Sequence, residues 1–160
     1  MRIRLAIAAS LLTVGTLAVA TSAPASADGD STPKRVAAAV VRLDGAQETQ
    51  PADPDGRGVF GFVAFDSKLC YVLTAQKIEP ATAAHIHAGR RGVAGGIIVG
   101  LRPPTSGLSA DCITAVPGTS PDPNVLLQSE LDAIIANPRD FYVNVHNDPF
   151  PDGAIRGQLR

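Results

Sequence analysis

Alternation between apolar and polar residues is the main pattern of this chain, and its period of two predicts β-strands. The clearest case is FYVNVHN, in which Phe, Val and Val alternate with Tyr, Asn and His. Short apolar or β-branched runs bounded by turn residues recur along the chain and predict further strands. The predicted strands are residues 36–43, 59–66, 69–78, 82–88, 95–101, 141–147 and 154–160.

One segment, SELDAIIANP, has the period of a helix instead. We predict that Ser129 caps its N-terminus, with Asp132 three residues further on, and that Pro138 ends it. Its apolar residues share one face: Leu131, Ile134 and Ile135.

Turn residues connect these elements. DSK, at 66–68, predicts a hairpin between the second and third strands, and DPFPDG, at 148–153, joins the last two. Residues 102–123 contain five prolines and are predicted to form a long connection. The chain as a whole predicts an all-β fold, a Greek-key-like antiparallel sandwich or barrel of about seven strands with one short helix.

The first residues are typical of a secretory signal peptide. A basic start, MRIR, precedes an uncharged apolar run, and small residues follow at Ala25 and Ala27. We predict a signal peptide over 1–27 that is cleaved after Ala27, a flexible tail over 28–35, and one domain over 36–160. An uncleaved membrane anchor is the alternative, but a run of about 16 residues is short for a bilayer span. The prediction is a secreted, extracellular protein with no transmembrane segment after cleavage.

Charge and cysteine content refine this picture. Residues 28–160 carry 12 basic and 15 acidic residues, a formal charge of −3, which gives no reason to expect a nucleic-acid partner. Cys70 and Cys112 are the two cysteines, and an exported protein meets oxidising conditions, so we predict a disulfide between them. The alternatives are two free thiols or a metal site shared with histidines.

The three histidines of the chain are the main candidates for chemistry. His85 and His87 share one face of a predicted strand, and His146 lies on the face of its own strand opposite the apolar residues. Three imidazoles on one polar face are a candidate site for copper or zinc with an open position. The alternative is a structural role, in which these side chains form hydrogen bonds to loops.

Other residues are candidates for supporting such a site. Asn144 and Tyr142 share the face of the last histidine, and Arg156 is predicted to face outward from the final strand. For Arg156, pairing with a carboxylate such as Asp148 or Asp152 is the simplest interpretation.

No residue has the sequence context of a catalytic group. No serine lies in a nucleophile-elbow pattern, and GRRGVAGG lacks the Lys-Ser/Thr of a phosphate loop, so it is predicted to be a tight turn with solvated Arg90 and Arg91. Glu48 and Asp148 lie in predicted loops, where we expect solvated side chains; the alternative is that they bind a ligand or support a site.

Three ordered motifs carry a family resemblance: LDGAQETQP, TAAHIHAG and FYVNVHNDPFPDGAIRGQL. Together they resemble the CHRD domain, a module named for chordin that also occurs alone in secreted bacterial proteins, over residues 38–160. The resemblance implies an extracellular β-sheet module of poorly defined role. The recurring histidines of the family fall on His85, His87 and His146. Ala154 stands where the family usually has a glutamate, so any salt bridge or ligand from that glutamate is absent or moved.

A weaker analogy links the histidines to copper-zinc superoxide dismutases, which hold copper on a Greek-key barrel with an H-x-H strand and a later histidine. Arg156 would then correspond to an anion guide. The chain has no fourth histidine to bridge a second metal, and a fold analogy does not establish function.

Three hypotheses follow. The preferred one is a non-catalytic binding or structural protein with a three-histidine cluster as a candidate copper or zinc site. The second is a copper-dependent redox enzyme of superoxide-dismutase type. The third is a cell-envelope module that binds another protein, with structural histidines.

Overall fold

The computed structural model describes residues 36–160. The predicted signal peptide over 1–27 and the tail over 28–35 lie outside the described residues. Within the described part of the chain, no helix is long and apolar enough to cross a membrane.

Residues 36–160 form eight strands, one α-helix and two short 3-10 helices. The strands are β1 (Val36–Asp44), β2 (Arg57–Phe65), β3 (Lys68–Gln76), β4 (Ala81–Ala88), β5 (Ile97–Leu101), β6 (Leu108–Thr114), β7 (Phe141–Asn147) and β8 (Phe150–Gln158). The helix α1 spans Gln128–Ala136, and the 3-10 helices span Gly45–Gln47 and Pro138–Asp140.

The eight strands of this part of the chain form one antiparallel sheet in the order β5-β4-β7-β8-β1-β2-β3-β6. The sheet curls into a nearly closed barrel, so the all-β prediction is confirmed. The strand that the sequence did not predict is β6, which lies inside the segment 102–123 that we expected to be a connection. Prolines flank β6 on both sides, whereas Leu108–Thr114 itself contains none.

Two local predictions need correction. The helix begins at Gln128 after Leu127, not at a cap on Ser129, and the carboxylate of Glu130 accepts a hydrogen bond from Leu127 N at 2.9 Å. The last hairpin turns at 148–149 alone, because β8 already begins at Phe150, whose N–H donates to Asn147 Oδ1. The hairpin between β2 and β3 turns at Asp66 and Ser67, as DSK predicts.

The hydrophobic core fills the inside of the barrel. Phe60, Phe62 and Tyr71 form an aromatic group with ring centroids 5.7 Å apart in each of two pairs. The core also includes Leu131 and Ile134 of α1, as the helical period predicted. Apolar residues of β4, β7 and β8 complete it, so these three strands turn their other, polar face outward.

The predicted disulfide between Cys70 and Cys112 is present. The two residues lie directly opposite each other on β3 and β6. The bond therefore ties the outermost strand on this side of the sheet to its neighbour.

The two outermost strands, β5 and β6, approach each other around Arg102. Arg102 N donates to the hydroxyl of Tyr71 at 2.8 Å, and Ser109 Oγ of β6 donates to Arg102 O at 2.7 Å. The seam of the barrel, where β5 and β6 approach each other, is therefore joined through hydrogen bonds of side chains.

Candidate metal centre

The three histidines come from two neighbouring strands. His85 lies opposite Asn144, and His87 lies opposite Tyr142, in the antiparallel pairing of β4 with β7. His146 lies one register step further along β7, opposite Ala83. Because alternate residues of a strand share a face, all of these polar side chains project from the outer face of the barrel.

This arrangement brings the three imidazoles together. One ring nitrogen from each of His85, His87 and His146 can be chosen so that all lie within 4.8 Å of one another. The tightest contact is a hydrogen bond of 3.0 Å between His85 Nδ1 and His146 Nε2. The sequence-predicted cluster is therefore a real feature of the fold.

Backbone carbonyl groups fix the tautomers of two of the rings. His87 Nδ1 lies 2.9 Å from Gly95 O, and His146 Nδ1 lies 2.9 Å from Pro151 O. A carbonyl oxygen can only accept, so each Nδ1 carries the proton and each Nε2 of the neutral ring presents a lone pair. His85 Nδ1 must then donate to His146 Nε2.

His87 Nε2 has no hydrogen-bond partner among the described residues, although its side chain is buried. A buried acceptor without a donor is costly in a folded protein. Metal-binding histidines are commonly oriented in this way, with one nitrogen donating to a carbonyl and the other free for the ion.

The cluster favours neutral rings. Burial, with smaller contributions from His146 and His87, lowers the pKa of His85 to about 4. Burial also lowers the pKa of His87 and of His146, although the hydrogen bonds to Gly95 and Pro151 oppose the shift. The three imidazoles are therefore neutral at pH 7, which is the form that binds metals.

Tyr142 and Arg156 extend the cluster on one side. The Tyr142 ring stacks on His87 with a centroid separation of 4.8 Å and an interplanar angle of 5°, and the guanidinium carbon of Arg156 lies 3.4 Å from the Tyr142 centroid. Arg156 is only 1% exposed and donates to Arg90 O at 3.0 Å. Within the described residues, Arg156 forms no ion pair with Asp148 or Asp152; the carboxylate whose charge acts on its pKa is that of Glu48.

Asn144 is the centre of the polar face. Its Oδ1 lies 3.1 Å from His146 Nε2, and its side chain also contacts His87 and Glu48. Burial raises the pKa of Glu48 and outweighs the charge of Arg156 and the contact with Asn144, which both lower it. The side chain of Asn144 thus lies between the Glu48 carboxylate and the histidines, and its Oδ1 is the atom that faces His146.

Glu48 is half-buried rather than solvated as expected, with Oε1 buried and without a partner among the described residues. The carboxylate fits here because residue 153 is a glycine: a Cβ on Gly153 would lie 2.7 Å from Glu48 Cδ. Glu48 belongs to LDGAQETQP, so the motif itself was the available signal.

The turn GRRGVAGG does more than connect two strands. It forms a cover over the polar face, because Gly95 O binds His87 and Gly89 O accepts from Gln158 Nε2 at 2.9 Å. Arg90 and Arg91 point to solvent as predicted, and Arg90 pairs with Asp140 at 2.6 Å.

The chain matches a known protein family over most of its length. The family model of the CHRD domain matches residues 39–159, which is most of the chain. The chain belongs to the CHRD domain family. The three histidines of its CHRD domain thus form a compact outer cluster on β4 and β7. No curated protein and no solved structure gives a significant match to the chain.

Proposed function

We propose that this CHRD-domain protein is exported and binds a copper or zinc ion through His85, His87 and His146, in a role that is not catalytic. The observation that carries the proposal is the convergence of the three ring nitrogens within 4.8 Å. Atoms that bind one ion at about 2.0 to 2.1 Å lie roughly 3 to 3.5 Å apart, so the closest pair already has this separation and the remaining nitrogen would move closer as the ion binds.

The electrostatics of the cluster support the same proposal. Three neutral imidazoles in a half-buried setting, two with fixed tautomers, are organised before an ion arrives. Export is supported by the disulfide and by the family, whose domains are typically extracellular. We infer that a signal peptide over 1–27 is removed after Ala27 and that 28–35 is a flexible tail before the domain at 36–160.

Calorimetric titration of Zn(II), Cu(II) and Cu(I) into the purified protein tests the proposal. We expect one-to-one binding that is lost when all three histidines are replaced by alanine, and a weakening of roughly 10-fold or more for each single replacement. Thermal unfolding of the triple variant controls for folding. Because the chain has three histidines in all, that variant leaves no other imidazole to bind the ion. Equal binding by the triple variant, or no binding by the wild type, would leave the histidines with a structural role.

The alternative of a superoxide-dismutase-type enzyme makes a further demand. A redox copper site needs a coordination position that a substrate can reach. His87 is 8% exposed, and the turn at Gly95 lies over it. Loss of superoxide on addition of the copper-loaded protein, abolished in His87→Ala, would favour the enzyme over the binding protein.

A second candidate function, protein binding, has its own observation. The outer face of β1, β2, β3 and β6 carries two cross-strand rows of small apolar residues and the disulfide. The rows are Val40, Gly61, Val72 and Ala110, and Ala38, Val63, Cys70 and Cys112. Val40 is 67% exposed and Val72 is 48% exposed, and a contiguous apolar surface of this kind is typical of an interaction site. Sedimentation of the wild type against Val40→Lys/Val72→Lys would reveal self-association through this face.

A further inference from the structure

The contact between Asn144 and His146 joins two acceptor atoms. His146 Nδ1 donates to Pro151 O, so Nε2 of the neutral ring has no proton. The atom of Asn144 that faces this nitrogen is Oδ1, which carries no proton either. The two lone pairs lie 3.1 Å apart. In the metal-free protein, the proton that His85 Nδ1 donates to His146 Nε2 is the positive centre beside these two acceptors.

A shared metal ion would replace that proton, with His85 changing tautomer so that its Nδ1 is free to bind the ion. Two atoms that each lie about 2.0 to 2.2 Å from one ion are separated by roughly 3 to 3.5 Å in four-coordinate geometry. The contacts of His146 Nε2 with His85 Nδ1, at 3.0 Å, and with Asn144 Oδ1, at 3.1 Å, both match this separation. The side chain of Asn144 also contacts His87, so it lies among all three rings.

The surroundings of Asn144 fit a residue that binds the metal ion. Asn144 is 2% exposed, and its side chain lies beside the half-buried carboxylate of Glu48. Glu48 Oε1 and His87 Nε2 are two of the four buried side-chain atoms without a partner among residues 36–160. Both are acceptors on the same polar face. A divalent cation offsets the burial of the carboxylate through the intervening amide.

We propose that Asn144 Oδ1 is a fourth protein ligand, so that the site binds a divalent ion, Cu(II) or Zn(II), in a closed N3O sphere with no exchangeable water. This inference rests on the metal site proposed above. An amide oxygen is a hard ligand, whereas Cu(I) favours thiolate and thioether ligands. A sphere filled by four protein ligands is typical of structural sites, while catalytic sites keep a position open.

The test measures water on the ion, because an effect on affinity alone would also follow if Asn144 only oriented a histidine. The Cu(II)-loaded protein is compared with Asn144→Ala by longitudinal relaxation of the water protons. We expect relaxation at the outer-sphere level for the wild type and a clear rise for Asn144→Ala, in which water takes the vacated position. Affinity for Cu(II) should fall by roughly 10- to 100-fold in the same variant.

The matched control is Asn147→Ala, which removes another buried asparagine of β7 whose Oδ1 accepts from Phe150 N. It should leave the relaxation unchanged. If Asn144→Ala does not fold, electron spin echo modulation of the wild type in D₂O decides instead, and no bound deuterons are expected. Inner-sphere water in the wild type overturns the inference while the three-histidine site stands. Absence of one-to-one binding in the titration overturns both.

Discussion

Gly153 leaves the space in which the Glu48 carboxylate lies, beside the side chain of Asn144. Its φ angle is +137°, a region that side chains rarely adopt, and its missing side chain leaves the space that the Glu48 carboxylate fills. A motif residue at the end of the chain and one near its start are thus coupled by a direct contact.

Replacing Gly153 by alanine should therefore cost both backbone strain and displacement of Glu48. We expect Gly153→Ala to lower the free energy of unfolding by about 2 to 3 kcal/mol, measured by urea denaturation. Gly118→Ala is the matched control: φ is +94° there, and an added Cβ meets no described atom within 4 Å. The control should lose only about 1 kcal/mol, from strain alone. Equal losses would show that Glu48 moves without cost.

For single residues, the sequence predicted well which face of the sheet a side chain lies on, but it predicted poorly how deeply that side chain is buried. Alternation placed His85, His87 and His146 on one outer face, and the structure brings them together there. It could not predict that Arg156 and Asn144, on the same face, are 1% and 2% exposed. Their cover comes from residues 89–96 and from the loop before β2, and the local pattern of a strand contains no information about a segment that folds over it.

Among the secondary-structure elements, β6 was the one missed. Prolines dominate the segment around it, and its sequence, LSADCIT, alternates only weakly. Its place is specified by pairing with β3 and by the disulfide, which are contacts between residues distant in sequence. The shift of the helix N-cap from Ser129 to Leu127 has a local cause, because the carboxylate of Glu130 accepts a hydrogen bond from the backbone N–H of Leu127.

Removing the disulfide should loosen β6 first. The bond closes a loop between residues 42 positions apart, for which chain entropy predicts a stabilisation of about 4 kcal/mol. We expect Cys70→Ser/Cys112→Ser to lower the free energy of unfolding by about this amount, and to speed hydrogen exchange in β6 more than in β7. Reduced wild-type protein should behave in the same way. Unchanged hydrogen exchange in β6 would show that its backbone hydrogen bonds with β3 hold it in the sheet without the disulfide.

For the molecule as a whole, the polar face makes stability depend on pH. The folded protein binds fewer protons than the unfolded chain wherever a histidine pKa is lowered, so acid favours unfolding. For His85 the penalty is absent above the ordinary value of 6.5 and develops as the pH falls to about 4. Burial raises the pKa of Glu48, which opposes this trend in acid, but three histidines act against one carboxylate.

Metal-free protein should therefore show a falling unfolding midpoint between pH 6.5 and 4, measured by thermal melts. The His85→Gln variant should show a smaller fall over the same range, because one titrating group is gone. Since His85 is only half-buried, solvent screening reduces its contribution. A midpoint that rises on acidification would show that Glu48 dominates.

The seam at Arg102 also bears on assembly. β5, with the sequence IIVGL, is an uncharged strand at the end of the sheet, and such a strand invites a second chain to extend the ladder. Just beyond β5, the hydroxyl groups of Tyr71 and Ser109 form hydrogen bonds with the backbone N–H and C=O of Arg102. Within β5, the side chain of Asn124 packs over Gly100. At this strand, protection against fibril-like growth thus depends on these side-chain contacts rather than on charged side chains along the strand.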